Sequence, residues 1–341
     1  RTGSIIGAGA NNDFSALSLA STRQNFDRSW EIFTDLALNP TFAAQDVELT
    51  RGRILTGLRE RETDSDNFLK VLQERIIYAN HPYSNEVSGT LATVTAFTPK
   101  DLRDYHRNIM QSSRLLLVVV GDVDPAEMQK KVTATLGKLP RGEYKEQAYP
   151  ALDFSKGTVD ITQRSLPTNY VQGVFSAPSL NNPDYYAMRV AILILQARIF
   201  QEVRVKRQLS YAPNAELASL ASNTGTIYVT AVDANQAVRV MLDEVNNMKT
   251  QQINPQVIPS IAGPFLTLHY IDQETNAAQA RELATYELIG GGWRGAFEFL
   301  DKISSVTPRQ VQEVSQKYMK NIRFIVVGNP EAIDREIFLQ N

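Results

Sequence analysis

Phe97–Leu102 with Leu116–Asp122 (FTPKDL…LLVVVGD) and Val306–Val311 with Phe324–Asn329 (VTPRQV…FIVVGN) read as one phrase written twice. Each copy opens on Thr-Pro ahead of a charged run. That predicts a helix with threonine as its cap and proline at its first position. Each then gives a short β-branched run closed by Gly-Asp or Gly-Asn. That predicts a buried strand, Leu115–Val120 in the first copy and Phe324–Val327 in the second. A phrase repeated at this distance points to two domains of one type.

Outward from these phrases, the order of elements also repeats. Ser4–Ala10 and Ser15–Ser21 read as paired strands around the turn Asn11-Asn12-Asp13; Ala215–Ala221 and Thr226–Val232 echo them. Phe26–Leu38 reads as an amphipathic helix with Trp30, Phe33, Leu36 and Ala37 on one face, ended by Asn39-Pro40; Asn235–Met248 is its echo. Long helices follow in both halves: Ala44–Glu62 and Asn67–Tyr78, then Gln256–His269 and Gln273–Ile289. Ala126–Leu136 is a further helix, and Pro140–Pro150 is polar and turn-rich, as an interdomain linker would be. The expected fold is α+β, with two homologous α/β-sandwich domains, each a mostly antiparallel sheet packed against helices. The expected boundaries are residues 1–140 and 158–341, joined by 141–157. In the second half a strand, Tyr170–Ser176, and the helices Tyr185–Ile194 and Ala197–Arg207 come before the paired strands. The first half begins almost at its paired strands, so by this comparison its domain is expected to lack about 50 residues or more of lead-in.

One stretch carries candidate chemistry. Arg204–Tyr211 (RVKRQLSY) runs from the end of the helix Ala197–Arg207 into the turn at Pro213. Proline cannot extend a helix and pushes its neighbour towards extended geometry. Arg204 therefore sits near a helix end and Tyr211 in the turn beyond it. A guanidinium fork and a phenol can converge on one polar target, a carbonyl or a developing oxyanion. On spacing alone, a surface arginine and a packing tyrosine are the plainer reading.

Composition narrows the classes. The chain has 341 residues, a net charge of −2, 43% hydrophobic residues and 21% charged residues, which suits a globular protein with two cores. Near-neutral charge argues against nucleic acid or an anionic membrane as partner. With no cysteine, disulfides, thiolate zinc sites and thiol catalysis are excluded. The longest apolar runs are too short to span a bilayer, so no membrane insertion is expected. Gly290-Gly291-Gly292-Trp293 has neither a preceding strand nor a following Lys-Ser/Thr, so it reads as a helix terminator with a buried tryptophan rather than a phosphate loop. Asp64, Asp66 and Asn67 lack the rest of a calcium loop, and Asp122 and Asp124 read as turn formers. Ser210 has no histidine near it in sequence.

Several local signatures together carry a resemblance. They are Gly3-Ser4 with Asp13, LNPTF at Leu38–Phe42, NHPY at Asn80–Tyr83, Gly89-Thr90, Thr98-Pro99 with Tyr105, VVVGDVD at Val118–Asp124, and RIFQEVRVKRQLSYAP at Arg198–Pro213. In this order the chain resembles the pitrilysin/insulinase superfamily of zinc peptidases, and most nearly its two-domain mitochondrial-processing and bacterial heterodimer type. The resemblance covers essentially the whole chain. It implies zinc held by two histidines of H-x-x-E-H and a downstream glutamate, with the motif glutamate as general base. This sequence has only His81, His106 and His269, none in that spacing. The resemblance sets the motif helix ahead of Arg1 and the zinc glutamate at Gly57, which has no ligand atom. Glu60, three residues on, is a ligand only if that alignment slips.

The resemblance further implies that Arg204 and Tyr211 bind the substrate backbone and the tetrahedral intermediate. The glycine-containing strand Ser4–Ala10 corresponds to the family's peptide-binding edge, though a merely flexible edge suits it equally. The function so implied is a non-catalytic subunit of a heterodimeric zinc metalloendopeptidase. Arg204 and Tyr211 would act in trans, with no cofactor in this chain, zinc in a homologous catalytic partner, and unfolded peptides as substrates. The alternatives are an active peptidase whose H-x-x-E-H precedes Arg1, and a structural or assembly subunit on the same fold. A bacterial periplasmic location is what the likeness to paired bacterial peptidases implies.

Overall fold

The computed structural model describes residues 3–340. The elements, in chain order, begin with strands β1 (Ile5–Ala10) and β2 (Ser15–Ala20). Helices α1 (Phe26–Leu38), α2 (Ala44–Thr63), α3 (Ser65–Ile77), α4 (Leu91–Ala96), α5 (Pro99–Ile109) and α6 (Pro125–Ala134) follow. Then come β3 (Thr158–Gln163), β4 (Asn169–Ser176), α7 (Tyr185–Ile199), β5 (Asn214–Leu217), β6 (Thr224–Ala231) and α8 (Ala234–Thr250). The chain ends with α9 (Val257–Asp272), α10 (Asn276–Ile289), α11 (Phe299–Ser304), α12 (Pro308–Tyr318), β7 (Arg323–Gly328) and α13 (Arg335–Leu339).

The chain forms two compact units that are not consecutive blocks of sequence. One holds residues up to Glu60, Asn85–Ala148 and Ile271–Thr285; the other holds Arg61–Ser84, Tyr149–Tyr270 and Tyr286 onward. The expected domains follow the sequence phrases, whereas these units follow packing. The two divisions differ chiefly at α3 and the first part of α10, each of which packs with the unit that sequence order would not give it.

In the first unit β1 and β2 form an antiparallel hairpin in register Ile5↔Ala20 to Ala10↔Ser15. Asn11 shapes the turn, its Oδ1 accepting from the N–H of Asp13 and of Phe14 at 2.8 Å each. Trp30 and Phe33 of α1 bury against Met128 of α6, with Ile6 and Leu19 of the hairpin beside them. Leu36 is not part of that face and is 52% exposed. Three- and four-residue steps join Trp30, Phe33 and Ala37, and Leu36 lies a residue off that line. Helix α5 starts as its sequence requires, with Thr98 and Asp101 in a reciprocal capping box and Pro99 in the first turn.

Leu115–Val120 is not the buried strand expected of it. It forms no strand, and Leu115, Leu116, Leu117 and Val119 are exposed. A strand needs neighbouring strands to satisfy its backbone groups and cover its faces. Among the described residues of this unit the only sheet is β1–β2, which does not take it in.

The second unit has the expected sandwich. Its sheet runs β3-β7-β4-β6-β5, with β3 and β7 parallel and the other three pairs antiparallel. Both faces are covered. Val174, Ile325 and Val327 face Leu69 and Ile77 of α3, while Phe324 meets Phe338 of α13 edge-on at 5.1 Å. Helices α7, α8 and α12 pack on one another, with α8 on β4 and β6 and α7 on β5. Strands covered on two faces read as unbroken apolar runs, which is why Phe324–Val327 shows no alternation.

Candidate functional site

Helix α7 opens apolar almost all round, with ten of its residues buried, because it lies inside the second unit. At Phe200 its hydrogen bonding changes. Phe200–Lys206 is a π-helix, continuous with α7, so the two helices expected at Tyr185–Ile194 and Ala197–Arg207 are one run with a change of pitch. The i→i+5 bonds of a π-helix widen the turn and advance later side chains around the axis; such runs are rare and concentrate at functional sites. The run closes with Gln208 in the left-handed region (φ 55°) and the Leu209 N–H donating to the Val203 carbonyl at 2.9 Å. That closure is one residue longer than the usual α-helical wrap, as a widened turn requires.

This ending brings Arg204 and Tyr211 together. The Arg204 guanidinium carbon lies 4.0 Å from the centre of the Tyr211 ring and 5.0 Å from that of Phe200. Tyr211 is 78% exposed. Neither the guanidinium nor the phenol has a hydrogen-bond or ion-pair partner among the described residues. The three cations that flank Arg204 in sequence are engaged. Lys206 Nζ lies 2.6 Å from Glu202 Oε1, Arg207 binds the other oxygen of Glu202, and Arg198 lies 3.5 Å from Glu244. Hydrogen bonds from Lys206 first, then Arg207, hold the Glu202 carboxyl below the usual carboxylate range. The site therefore presents one unpaired guanidinium beside one free phenol. Both are donors only towards an acceptor oxygen, suited to a carbonyl, a carboxylate or an oxyanion.

The residues considered for metal do not converge. Gly57 lies on α2 with open space where a side chain would start, and Glu60 is exposed on the same helix. His81 is buried; its Nδ1 accepts from the Tyr83 N–H at 3.1 Å, so Nε2 carries the proton and donates to Ser222 Oγ at 2.9 Å. His106 Nε2 donates to the Ala37 carbonyl at 2.8 Å, and His269 stacks on Phe299 with ring centres 5.0 Å apart. No three His, Cys, Asp or Glu among the described residues are grouped so as to hold a metal. The donor set among the described residues does not fit a zinc centre of the H-x-x-E-H type.

One smaller expectation changes. Trp293 is not buried but 40% exposed, its ring 5.9 Å from Phe297 and covered by Arg294 at 4.5 Å. The glycines do end α10, since the N–H groups of Gly290 and Gly292 both donate to the Tyr286 carbonyl. Ser210 is buried and its Oγ has no hydrogen-bond partner among the described residues, so none of them is placed as its base. No helix among the described residues is long and apolar enough to cross a membrane.

Comparison with known proteins agrees with this architecture. Residues 96–259 match the family model described as the peptidase M16 inactive domain. A crystal structure of a peptidase M16 inactive domain from Pseudomonas fluorescens superposes with a TM-score of 0.85 at 17% identity, covering 96% of this chain and 82% of that one. The class is thus a two-unit α+β protein with the fold of a peptidase M16 inactive domain, and with no metal-holding cluster among its described residues. Over residues 96–259 the chain is similar to the peptidase M16 family. An uncharacterized zinc protease of Mycobacterium leprae is 24% identical over 322 residues, 89% of this chain and 70% of that protein. The mitochondrial-processing peptidase subunit beta of Caenorhabditis elegans is 27% identical over 171 residues, 49% of this chain and 36% of that protein.

Proposed function

We propose that this chain is the non-catalytic subunit of a heterodimeric zinc metalloendopeptidase. It supplies Arg204 and Tyr211 to a homologous partner that carries the zinc, and the substrates are unfolded peptides. The observation that carries the reading is the Arg204–Tyr211 pair itself. A guanidinium and a phenol, brought to one place by a π-helix, have no hydrogen-bond or ion-pair partner among the described residues, although the three cations flanking Arg204 in sequence are paired. Arginine offers a planar fork to a peptide carbonyl or carboxylate. The phenol O–H, aimed at a developing oxyanion, is a donor of the kind whose loss costs about 10² to 10³ in turnover. Gly57, with no ligand atom where the family's zinc glutamate falls, supports assigning the metal to the partner. A relative that is itself named as a subunit of a peptidase supports the paired assembly. The like caps and like phrases of the two halves support reading them as an internal repeat.

The deciding experiment measures peptide turnover by the complex of this chain with its zinc-bearing partner. Tyr211→Phe is expected to lower kcat by about 10²-fold with assembly and Tm unchanged, because the phenol is exposed and unbonded. Unchanged turnover would remove the role. Zinc content of the chain without its partner is expected to be near zero after incubation with zinc; about one tightly bound zinc per chain would instead make it a peptidase in its own right.

A further inference from the structure

We infer that Phe200 is a positioning residue for Arg204, and that Glu202 assists by holding the two neighbouring cations away from the site. Arg204 pairs with no carboxylate among the described residues. Its contacts are two rings, Tyr211 at 4.0 Å and Phe200 at 5.0 Å. An ion pair would occupy the N–H fork, whereas a ring contact is made without consuming an N–H and leaves all five donors for an acceptor. Phe200 is an exposed aromatic at the first residue of the π-helix, four positions before Arg204. The widened turn that begins there sets how the two side chains overlap.

Glu202 lies between them in sequence and faces elsewhere. It takes Lys206 and Arg207 together. Without it, three cations would compete for any carbonyl or carboxylate arriving at Tyr211, and the geometry would be set by none of them. With it, a single guanidinium is offered, steadied from two sides. The functional half of this inference rests on the reading of Arg204 as substrate-facing; the positioning half does not.

The test uses the full chain and two readouts. The first is the Arg204 Nε–Hε signal by NMR, assigned by its loss in Arg204→Lys. Ring currents from Phe200 and Tyr211 are expected to displace it from the free-arginine position. Phe200→Leu, which keeps apolar bulk but no ring, is expected to move it back towards that position, and Phe200→Tyr to restore it. The second readout is the affinity of a fluorescent unstructured peptide by anisotropy. Phe200→Leu is expected to weaken binding about twofold to fivefold, the size of an exposed cation–π contact, with Phe200→Tyr at the parent value. An Arg204 signal that ignores Phe200→Leu overturns the inference outright. If the signal moves and Arg204→Lys weakens the peptide but Phe200→Leu does not, the positioning has no functional consequence and the inference also fails. If Arg204→Lys itself leaves peptide binding untouched, the substrate-facing reading falls, while the NMR comparison still decides whether Phe200 positions the guanidinium.

Discussion

Leu115–Val120 and Phe324–Val327 carry nearly the same letters and end on the same Gly-Asx step, yet only one is a strand. β7 has β3 along one edge and β4 along the other, with α3 over one face and α13 against Phe324 on the other. Its four central residues are fully buried. Leu115–Val120 has no strand beside it among the described residues, and its leucines stand in the open. The difference teaches that β-branched content states only a readiness to pair; the neighbours decide whether pairing occurs.

Substitution can break this comparison most forcefully in the two runs themselves. Ile325→Ala is expected to cost about 2–5 kcal/mol, because it leaves a cavity between the sheet and α3. Leu117→Ala, at an exposed position, is expected to stay within about 0.5 kcal/mol. Urea unfolding gives both numbers, and the two tryptophans separate the units, with Trp30 in the first and Trp293 in the second. A costly Leu117→Ala would mean that the first run is packed in solution.

The caps sharpen the comparison from the other side, since there the two halves are alike. Thr98 and Thr307 both cap a helix in a capping box with proline in the first turn. Thr98→Ala and Thr307→Ala are each expected to cost about 1 kcal/mol in their own unit. Equal losses would show that local helix signals act alike in both units and that only the strand context differs.

The smallest effect concerns acid. In the second unit Asp184, preceding α7, accepts from Lys317 Nζ at 2.6 Å and from the Tyr318 hydroxyl at 2.9 Å. The Lys317 hydrogen bond first, then that of Tyr318, lowers the Asp184 pKa below its usual value. A depressed carboxylate stabilises the fold above its unfolded pKa of about 4, and that contribution fades as pH falls through the lower native value. The urea midpoint of the second unit should therefore fall more steeply below about pH 4 in the parent than in Asp184→Asn. Identical acid limbs would show that this pair contributes nothing, as exposed pairs often do.

Local signals were read correctly where they were self-sufficient. Helix α1, β4, β6 and both Thr-Pro starts follow directly from capping chemistry and periodicity. What depended on distant partners was not legible. β3 (TVDITQ) went unassigned because its polar alternation acquires meaning only beside β7, some 160 residues on. The change of pitch at Phe200 left no letter in the sequence, so Arg204 and Tyr211 were legible as a pair while the ring of Phe200 against Arg204 was not. The packing of α3 with the second unit was hidden for the same reason, since its apolar stripe says that it packs but not on what.

β7 joins β3 to the rest of its sheet, and it leaves the ribosome some 160 residues after β3. While the chain is still emerging, β5 and β6 can pair across a short connection and β4 can join β6, but β3 has no edge to join. The second unit therefore stays open until Arg323–Gly328 is released, and its apolar interior is exposed longest in the nascent protein. A cell that makes this chain would have to shield that interior until β7 has emerged.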